Sequence, residues 1–267
     1  MMITSGRALL ATSASGSGRP DVLMIHAGVA DQRSWQHVVD ALPDHRCLTY
    51  DARGYGRTTY EKEDGWSPVD DAVAVLEGYD AAPAVVVASS MGGRTALDLA
   101  LARPELVSSL VLIGPAVSGA PEATYEPEIL ALDDEWDAAE AAGDLDAINR
   151  IEARVWLDGP TSPEGRVGGA ARELFLAMNR IALEADDPGD PRHPGADAAA
   201  WNRLGEIGVP TLLLVGEHDL RYIHEYAAHA LASIPGSRLV DLPGVAHLPH
   251  LEGDRRTLAE IAAFLAE

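Results

Sequence analysis

The stretch AVVVASSMGGRTALDLALARPE, residues 84–105, runs from a short apolar strand pattern through two serines and two glycines into a helical pattern. Glycine is a poor helix former, so two glycines at this corner indicate that the backbone or a neighbour needs the space. The pattern small-x-Ser-x-Gly between a strand and a helix is typical of a nucleophile elbow. Ala88 and Gly92 are then the small residues around Ser90, which we predict to be an exposed serine on a strained turn. The alternative is that Ser90 only shapes the turn.

Five more short apolar runs occur along the chain, and helical patterns separate them. The runs are 21–26, 46–51, 108–114, 211–217 and 237–242. The helical patterns are at about 34–42, 68–79, 92–103, 222–234 and 254–266. Continuous rather than alternating apolarity indicates strands buried on both faces, as in a parallel sheet. We therefore expect an α/β fold, a mostly parallel twisted sheet flanked by helices.

Two segments depart from this rhythm. The first twenty residues are predicted to form an antiparallel hairpin at one sheet edge, with its turn at SGSG, residues 15–18. Residues 116–207 contain no strong strand pattern, and short helices fit PEILALDDEWDAAEAA, DLDAINRIEARVWL and AARELFLAMNRIAL. We predict a core domain of residues 1–115 and 208–267 with a helical cap inserted at 116–207. Within the cap, the Pro- and Gly-rich stretch at 184–199 is predicted to be a surface loop.

A serine hydroxyl is a weak nucleophile unless a neighbouring base removes its proton. The loop GVAH after the last strand pattern offers His247, with His250 as its rival. Such a base needs an acid that fixes its tautomer. TLLLVGEHD offers Asp219 just past a strand, with Glu217 in reserve, and Asp219 could also cap the next helix. We predict a catalytic triad of Ser90, Asp219 and His247.

The oxyanion of an acyl-transfer reaction requires backbone N–H donors. One is predicted at Met91, directly after the serine, and the other at Gly28, with Val29 as the next choice.

The substrate pocket is less well defined by the sequence than the triad. His26 could line it, although a structural role in its loop fits the pattern better. Four residues of the cap could line an acyl or ring pocket, or could equally form the core of the cap itself. They are Trp136, Trp156, Phe175 and Met178.

Five motifs in the expected order resemble those of α/β-hydrolases. They are HAGVADQRSW, YDARGYGRT, SSMGGRTALDLALARPELVSSLVLIGPA, VPTLLLVGEHD and GVAHLPHLE, and the resemblance covers residues 1–115 and 205–267. In YDARGYGRT we expect Asp51 and Arg53 to pair as loop architecture. The chain is similar to the small, lidded esterase- and lactonase-like members, often described as enol-lactone hydrolases. Haloalkane dehalogenases and epoxide hydrolases of this family carry Asp at the elbow, so Ser90 disfavours both.

The composition excludes several classes of partner. The net charge is −22 at pH 7, which argues against nucleic acid and anionic membranes because both are polyanions. The single cysteine, Cys47, cannot form an intrachain disulfide, and we expect it to be a buried, inert thiol. No signal peptide, membrane span, metal site or cofactor is predicted. The expected protein is cytoplasmic, acts on a small molecule and could form a homodimer.

Three functions are compatible with these residues. The resemblance implies hydrolysis of an ester, lactone or thioester through an acyl-enzyme. The second is carbon–carbon bond hydrolysis, or a biosynthetic cyclase or lyase reaction, on the same triad. The third is a non-catalytic homologue that keeps only the pocket and binds a small molecule.

Overall fold

A twisted sheet forms the centre of the computed structural model, which describes residues 1–125, 127–192, 195 and 198–267. Its strands in the described residues are β1 (Met2–Ser5), β2 (Ala8–Ser15), β3 (Val22–Ile25), β4 (Cys47–Tyr50), β5 (Thr59–Tyr60), β6 (Ala84–Ser89), β7 (Val107–Ile113), β8 (Thr211–Gly216) and β9 (Arg238–Leu242). The strand order is β1-β2-β4-β3-β6-β7-β8-β9, with β5 paired to β2. From β4 to β9 every pairing along this order is parallel, whereas β2 pairs antiparallel with β1, β4 and β5.

The apolar runs are buried as their pattern predicts. Every residue of β3, β4, β6 and β8 is buried. Complete burial of a valine such as Val86, which is 0% exposed, stabilises the fold by roughly 1.5–3 kcal/mol. Cys47 on β4 is also buried, and burial raises the pKa of its thiol to about 11. The predicted α/β class is confirmed.

Helices cover both faces of the sheet. The α-helices of the described residues are α1 (Gln36–Ala41), α2 (Pro68–Gly78), α3 (Met91–Ala102), α4 (Pro127–Ala142), α5 (Leu145–Glu152), α6 (Gly169–Glu184), α7 (Arg221–Ser233) and α8 (Arg255–Leu265), and α4, α5 and α6 belong to the segment between β7 and β8. Apolar residues of α2 and α3, including Leu76 and Leu97, pack against one face of the sheet. Val38 of α1 and Ile261 of α8 pack against the other. The central strands therefore lie between two layers of helices.

The hairpin at the sheet edge turns at a different place from the one predicted. Met2 pairs with Ala11 and Ser5 with Ala8, so the turn is at Gly6 and Arg7, and Gly6 has φ +52°. SGSG instead follows β2 and lies against the loop before β4. There a Cβ at Gly16 would lie 2.1 Å from the carbonyl oxygen of His45. These glycines permit close packing of two loops, and the prediction of a turn at residues 15–18 was wrong.

The three helices predicted between β7 and β8 are α4, α5 and α6. The second continues beyond α5 as a π-helix at Ala153–Asp158, a form that often occurs at functional sites. The boundaries of the cap stay a prediction. Residues 193–194 and 196–197 of the predicted loop at 184–199, and residue 126, lie outside the described residues. In the described parts of the chain, no helix combines the length and apolarity needed to cross a bilayer.

Candidate active site

Ser90 lies between β6 and α3 in a conformation that few non-glycine residues adopt. Its φ is +52° and its ψ is −115°, a strain of about 1–3 kcal/mol. Two backbone hydrogen bonds of 3.0 Å hold it in place: its N–H donates to the carbonyl of Ile113, and its carbonyl accepts from the N–H of Ala116. Ser90 is half-buried, whereas Ser89 beside it is 0% exposed. The side chain of Ser90 thus stands at the surface of the corner.

The two glycines after Ser90 are explained by their neighbours. A Cβ at Gly92 would lie 2.2 Å from the carbonyl oxygen of Ile25, at the end of β3. A Cβ at Gly93 would lie 2.8 Å from the Cβ of Pro115, after β7. Real Cβ atoms essentially never come so close to other heavy atoms, so α3 can begin here only because both residues lack a side chain.

His247 and Asp219 form a buried hydrogen-bonded pair. The Nδ1 of His247 lies 2.8 Å from Oδ2 and 3.0 Å from Oδ1 of Asp219, and the side chains are 1% and 2% exposed. Oδ1 of Asp219 also accepts from the N–H of Leu220 at 2.8 Å. Leu220 is the N-cap of α7, so Asp219 orients the imidazole and also binds the start of that helix.

A third glycine brings the loop of His247 close to β8. A Cβ at Gly216 would lie 2.1 Å from the carbonyl oxygen of Ala246, so only glycine allows this approach. The N–H groups of Glu217 and His218 then bond the carbonyls of Leu242 and Val245 at 2.8 and 3.0 Å. These contacts place the loop after β9 against the loop after β8.

The serine corner and the His–Asp pair meet at Gly114. This residue follows the Ile113 that binds Ser90, and a Cβ on it would lie 3.0 Å from both Oδ2 of Asp219 and Nδ1 of His247. The Nε2 of His247 is buried and has no hydrogen-bond partner among the described residues, Ser90 included. The backbone that holds Ser90 and the His247–Asp219 pair are therefore joined through Ile113 and Gly114, and the triad itself stays a prediction.

The loop after β3 lies against Met91, as an oxyanion site requires. A Cβ at Gly28 would lie 3.6 Å from Sδ of Met91 and 3.5 Å from the hydroxyl oxygen of Tyr55. Met91 is the first residue of α3, and the first N–H groups of an α-helix have no acceptor within the helix. Gly28 and Val29 are half-buried. The loop after β3 therefore approaches the first residue of α3, and the oxyanion site at Met91 with Gly28 or Val29 stays a prediction.

His26 is a structural residue of this loop and not a wall of the pocket. It is 0% exposed, its Nδ1 donates to the carbonyl of Ala27 at 2.8 Å, and its Nε2 accepts from the N–H of Ala52 at 3.0 Å. Burial lowers the pKa of His26 below its usual value. Nδ1 is thus occupied within its own loop and Nε2 joins that loop to Ala52, which leaves neither nitrogen for a substrate.

The four residues predicted either to line a pocket or to form a local core differ in what they contact. The ring of Trp156, in the π-helix, lies 4.8 Å from that of His247, and therefore borders the site. Phe175 and Met178 of α6 are 0% exposed and form the core between the cap and the loops at Ala27 and Leu248. Trp136 of α4 lies near the carboxylate of Glu152 on α5 and favours its charged form, so its neighbour is another residue of the segment between β7 and β8.

The reserve candidates for acid and base lie elsewhere. Oε2 of Glu217 accepts from the N–H of Gly244 at 2.8 Å and makes no contact with His247 in the described structure. His250 is 0% exposed and stacks on Trp35, with ring centroids 4.3 Å apart. Both ring nitrogens of His250 are buried with no hydrogen-bond partner among the described residues.

Because His250 is buried, we predict that acid destabilises the fold. Burial, with His247 and His37 nearby, lowers the pKa of His250 to about 3, whereas in the unfolded chain it is about 6.5. Between pH ~3 and pH ~6.5 the unfolded state binds more protons than the folded state. The free energy of unfolding is therefore highest above pH ~6.5 and decreases as the pH is lowered below that value. At pH ~5 the loss is about 2 kcal/mol. His250→Phe keeps an aromatic ring on Trp35 and should remove this loss, measured by urea unfolding at several pH values. Equal pH slopes in both proteins would contradict the prediction.

Two charge networks near the site were not foreseen. Asp51 and Arg53 do not pair: Asp51 binds Gln32 and the N–H of Arg57, whereas Arg53 binds Asp71 and other acceptors. The turn at Gly56 brings the Arg57 N–H to Asp51, and a Cβ at Gly56 would lie 2.2 Å from the carboxylate carbon of Asp51.

The second network joins the segment between β7 and β8 to the loop of His247. Arg166 of this segment makes two hydrogen bonds of 2.8 Å to the carboxylate of Glu252, whose Oε1 also accepts from the N–H of Ala246 at 3.3 Å. Arg166 and Glu252 are 86 residues apart along the chain, so no local sequence motif marks this pair.

The fold and this corner together define an enzyme of α/β-hydrolase architecture. The comparison with known proteins agrees, and the chain belongs to the alpha/beta hydrolase family, whose model matches residues 22–261. The predicted family, and its character as an α/β-hydrolase enzyme, are thereby confirmed.

Relatives of this family match over most of the chain. A Bacillus subtilis (strain 168) protein, provisionally named 2-succinyl-6-hydroxy-2,4-cyclohexadiene-1-carboxylate synthase, is 27% identical over 256 residues, 91% of this chain and 89% of that protein. A pimeloyl-[acyl-carrier protein] methyl ester esterase of Nitrosospira multiformis is 24% identical over 272 residues, 97% and 99% of the two chains. The crystal structure of the enol-lactonase from Burkholderia xenovorans LB400 has a TM-score of 0.71 at 21% identity, covering 97% of each chain.

Proposed function

We propose that this chain hydrolyses a carboxylic ester, lactone or thioester of a small organic substrate through an acyl-enzyme. The observation that carries the proposal is the buried Asp219–His247 hydrogen bond of 2.8 Å, which packs against Gly114, the residue after the Ile113 that binds the N–H of Ser90. A carboxylate, an imidazole with an unoccupied ring nitrogen and a serine on a strained turn are the parts that acyl transfer requires. The methyl ester esterase among the relatives supports an ester bond as the target.

The proposed reaction depends on which nitrogen of His247 carries a proton. Asp219 accepts the Nδ1–H of His247, so Nε2 carries a lone pair directed away from the carboxylate. His247 removes the proton of Ser90 as Oγ attacks the carbonyl carbon, and the proton then passes to the leaving alcohol or thiol. A water molecule, deprotonated by the same nitrogen, releases the acid and restores the serine. Asp219 stabilises the imidazolium in both halves.

The negative charge on the carbonyl oxygen requires donors of fixed position. The N–H groups of Met91 and of Gly28 or Val29 supply them in this proposal, and the N-terminus of α3 adds a favourable dipole. The segment 116–207 would act as the cap: Trp156 covers the ring of His247, and Arg166 fixes the cap to Glu252. A covered site excludes bulk water and sets which substrates enter.

Covalent labelling tests the nucleophile. A fluorophosphonate probe should modify the wild-type protein at Ser90, identified by peptide mass spectrometry, because the probe requires a serine activated by its base. The Ser90→Ala variant should not be labelled, whereas Ser89→Ala, at the adjacent buried serine, should label as the wild type does. Absence of labelling in the folded wild-type protein would favour a non-catalytic, ligand-binding homologue.

A second candidate is supported by the Bacillus subtilis relative, whose similarity extends over nearly its full length. Its name describes a synthase that forms a cyclohexadiene carboxylate. The same three side chains could then deprotonate a substrate for elimination or ring closure, or cleave a carbon–carbon bond. Product analysis by mass spectrometry separates the candidates. Ester hydrolysis adds one water molecule and gives an acid and an alcohol, carbon–carbon hydrolysis adds one water molecule and gives an acid and no alcohol, and elimination or ring closure adds none.

A further inference from the structure

Arg94 lies one helical turn beyond the proposed nucleophile. It is four residues after Ser90 on α3, and its N–H donates to the carbonyl of Ser90 at 3.3 Å. Residues four apart share a helix face and are separated by about 6 Å along the axis. The side chain of Arg94 therefore starts on the same side of α3 as the serine, at a distance that a small substrate can span.

In the part of the chain that the structure describes, the side chain of Arg94 has no acceptor for its charge. Its Nε is buried without a hydrogen-bond partner among the described residues, and no carboxylate of those residues lies within ion-pair distance. Asp98, one turn further along α3, accepts from the hydroxyl of Ser118 at 2.5 Å. A buried donor without an acceptor is costly, and it is often kept for a function.

The surroundings of Arg94 are those of a binding site. It lines a cavity of about 620 Å³ that reaches the corner of Ser90 through Met91 and Tyr55, although Ser90 and His247 themselves do not line it. Three other arginines line the same cavity, and each has a carboxylate partner: Arg53 pairs with Asp71, Arg192 with Asp70 and Arg203 with Glu206. Trp66, Val69 and Leu101 add apolar surface. The cavity thus combines an apolar wall with the guanidinium of Arg94, which has no ion pair with any described residue.

We infer that the substrate carries an ionised carboxylate in addition to the bond that is cleaved, and that Arg94 binds this carboxylate. The inference rests on the proposed ester hydrolysis at Ser90 and specifies its substrate class, the half-esters of dicarboxylic acids or esters of hydroxy acids. A guanidinium presents two parallel N–H donors that match a carboxylate, which an uncharged substrate end does not use. Arg94 is a specificity-determining residue and takes no part in the bond cleavage.

Matched substrate pairs test the inference. Monomethyl glutarate, adipate and pimelate each have a neutral partner in which a methyl group replaces the free carboxylate, such as methyl pentanoate for glutarate. A further pair, 4-acetoxybutanoate and butyl acetate, places the carboxylate in the alcohol half. Hydrolysis is followed by pH-stat titration. At least one charged ester should exceed its neutral partner in kcat/KM by roughly 10- to 100-fold, mostly through KM.

The variants assign this preference to one side chain. Arg94→Gln should remove the preference while the neutral esters are still cleaved. Arg203→Gln, at a paired arginine of the same cavity, should keep the preference within about twofold. Arg94→Lys, which keeps the positive charge but loses the two parallel N–H donors of the guanidinium, should keep part of the preference for charged esters. A preference that survives Arg94→Gln, or that Arg203→Gln removes equally, overturns the inference.

Binding of free adipate, measured by calorimetry, separates this inference from the proposed function. Adipate should bind the wild-type protein and Ser90→Ala alike, and bind Arg94→Gln at least about tenfold more weakly. Equal adipate binding by wild type and Arg94→Gln overturns the carboxylate site whatever the protein catalyses. If charged and neutral esters are cleaved equally well, the carboxylate site is also overturned, whereas the hydrolase proposal still holds. Adipate binding that depends on Arg94, in a protein that cleaves no ester, supports the site and contradicts only the hydrolase proposal.

Discussion

Replacing Ser90 with alanine should lower kcat/KM for p-nitrophenyl butyrate by about 10⁴- to 10⁶-fold, to the rate that the remaining site supports. Without Oγ no acyl-enzyme can form, and His247 can only direct a water molecule at a carbonyl placed for the serine. The initial burst of p-nitrophenolate, which reports the acyl-enzyme, should disappear as well. Stopped-flow absorbance measures both quantities.

Ser89→Ala is the matched control for this experiment. The hydroxyl of Ser89 is buried and has no partner among the described residues, so its removal should change kcat/KM by less than about threefold and leave stability equal or slightly higher. Circular dichroism and thermal unfolding should show that both variants fold as the wild type does. Substantial burst kinetics in Ser90→Ala, or equal losses in the two variants, would exclude Ser90 as the nucleophile.

The sheet and the serine corner could be predicted because local sequence determines them. Runs such as 84–89 and 211–217 are apolar without alternation, a pattern that fits a strand covered on both faces, and each lies within a residue or two of an observed strand. At the corner, Gly92 and Gly93 mark backbone that approaches Ile25 and Pro115. Helix α4 was predicted with its observed bounds, Pro127–Ala142.

What could not be predicted depends on contacts between distant residues. SGSG has the composition of a turn, and only its packing against the loop at His45 shows why glycines are needed there. Asp51 and Arg53 are close in sequence, but Arg53 binds Asp71 because the fold brings α2 to it. The unpaired state of Arg94 is likewise invisible in the sequence, since SMGGR reads as the first turn of a helix. It emerges only from the ion pairs of the described residues, none of which includes Arg94.

In the segment between β7 and β8, the sequence pattern does not reveal which apolar side chains pack in the core and which border the site. Phe175 and Met178 belong to a helix whose apolar face is buried against the core loops, whereas Trp156 borders His247. Spacing along an amphipathic helix does not tell whether an apolar side chain meets protein or substrate, because both are apolar surfaces. The direction of Trp156 also depends on the π-helix at Ala153–Asp158, which shifts the side-chain positions relative to an α-helix.

Changing Asp219 to asparagine should lower kcat by about 10³- to 10⁴-fold with little change in KM. The carboxylate accepts both the Nδ1–H of His247 and the N–H of Leu220. Asparagine keeps one oxygen, which the Leu220 N–H occupies, and turns its NH₂ group towards Nδ1. His247 must then accept at Nδ1 and carry its proton on Nε2, so it can no longer take the proton of Ser90.

Glu217→Gln is the control, since this residue is two positions away and binds Gly244 instead; its effect on kcat should stay within a few-fold. A double-mutant cycle makes the test specific. If Asp219 acts only through the imidazole, then in a His247→Ala background the Asp219→Asn change should cost almost nothing, and the two losses should be strongly non-additive. Additive losses would mean that Asp219 acts on the rate by another route, such as the start of α7. A larger loss from Glu217→Gln than from Asp219→Asn would make Glu217 the orienting acid, in spite of the distance that the structure places between it and His247.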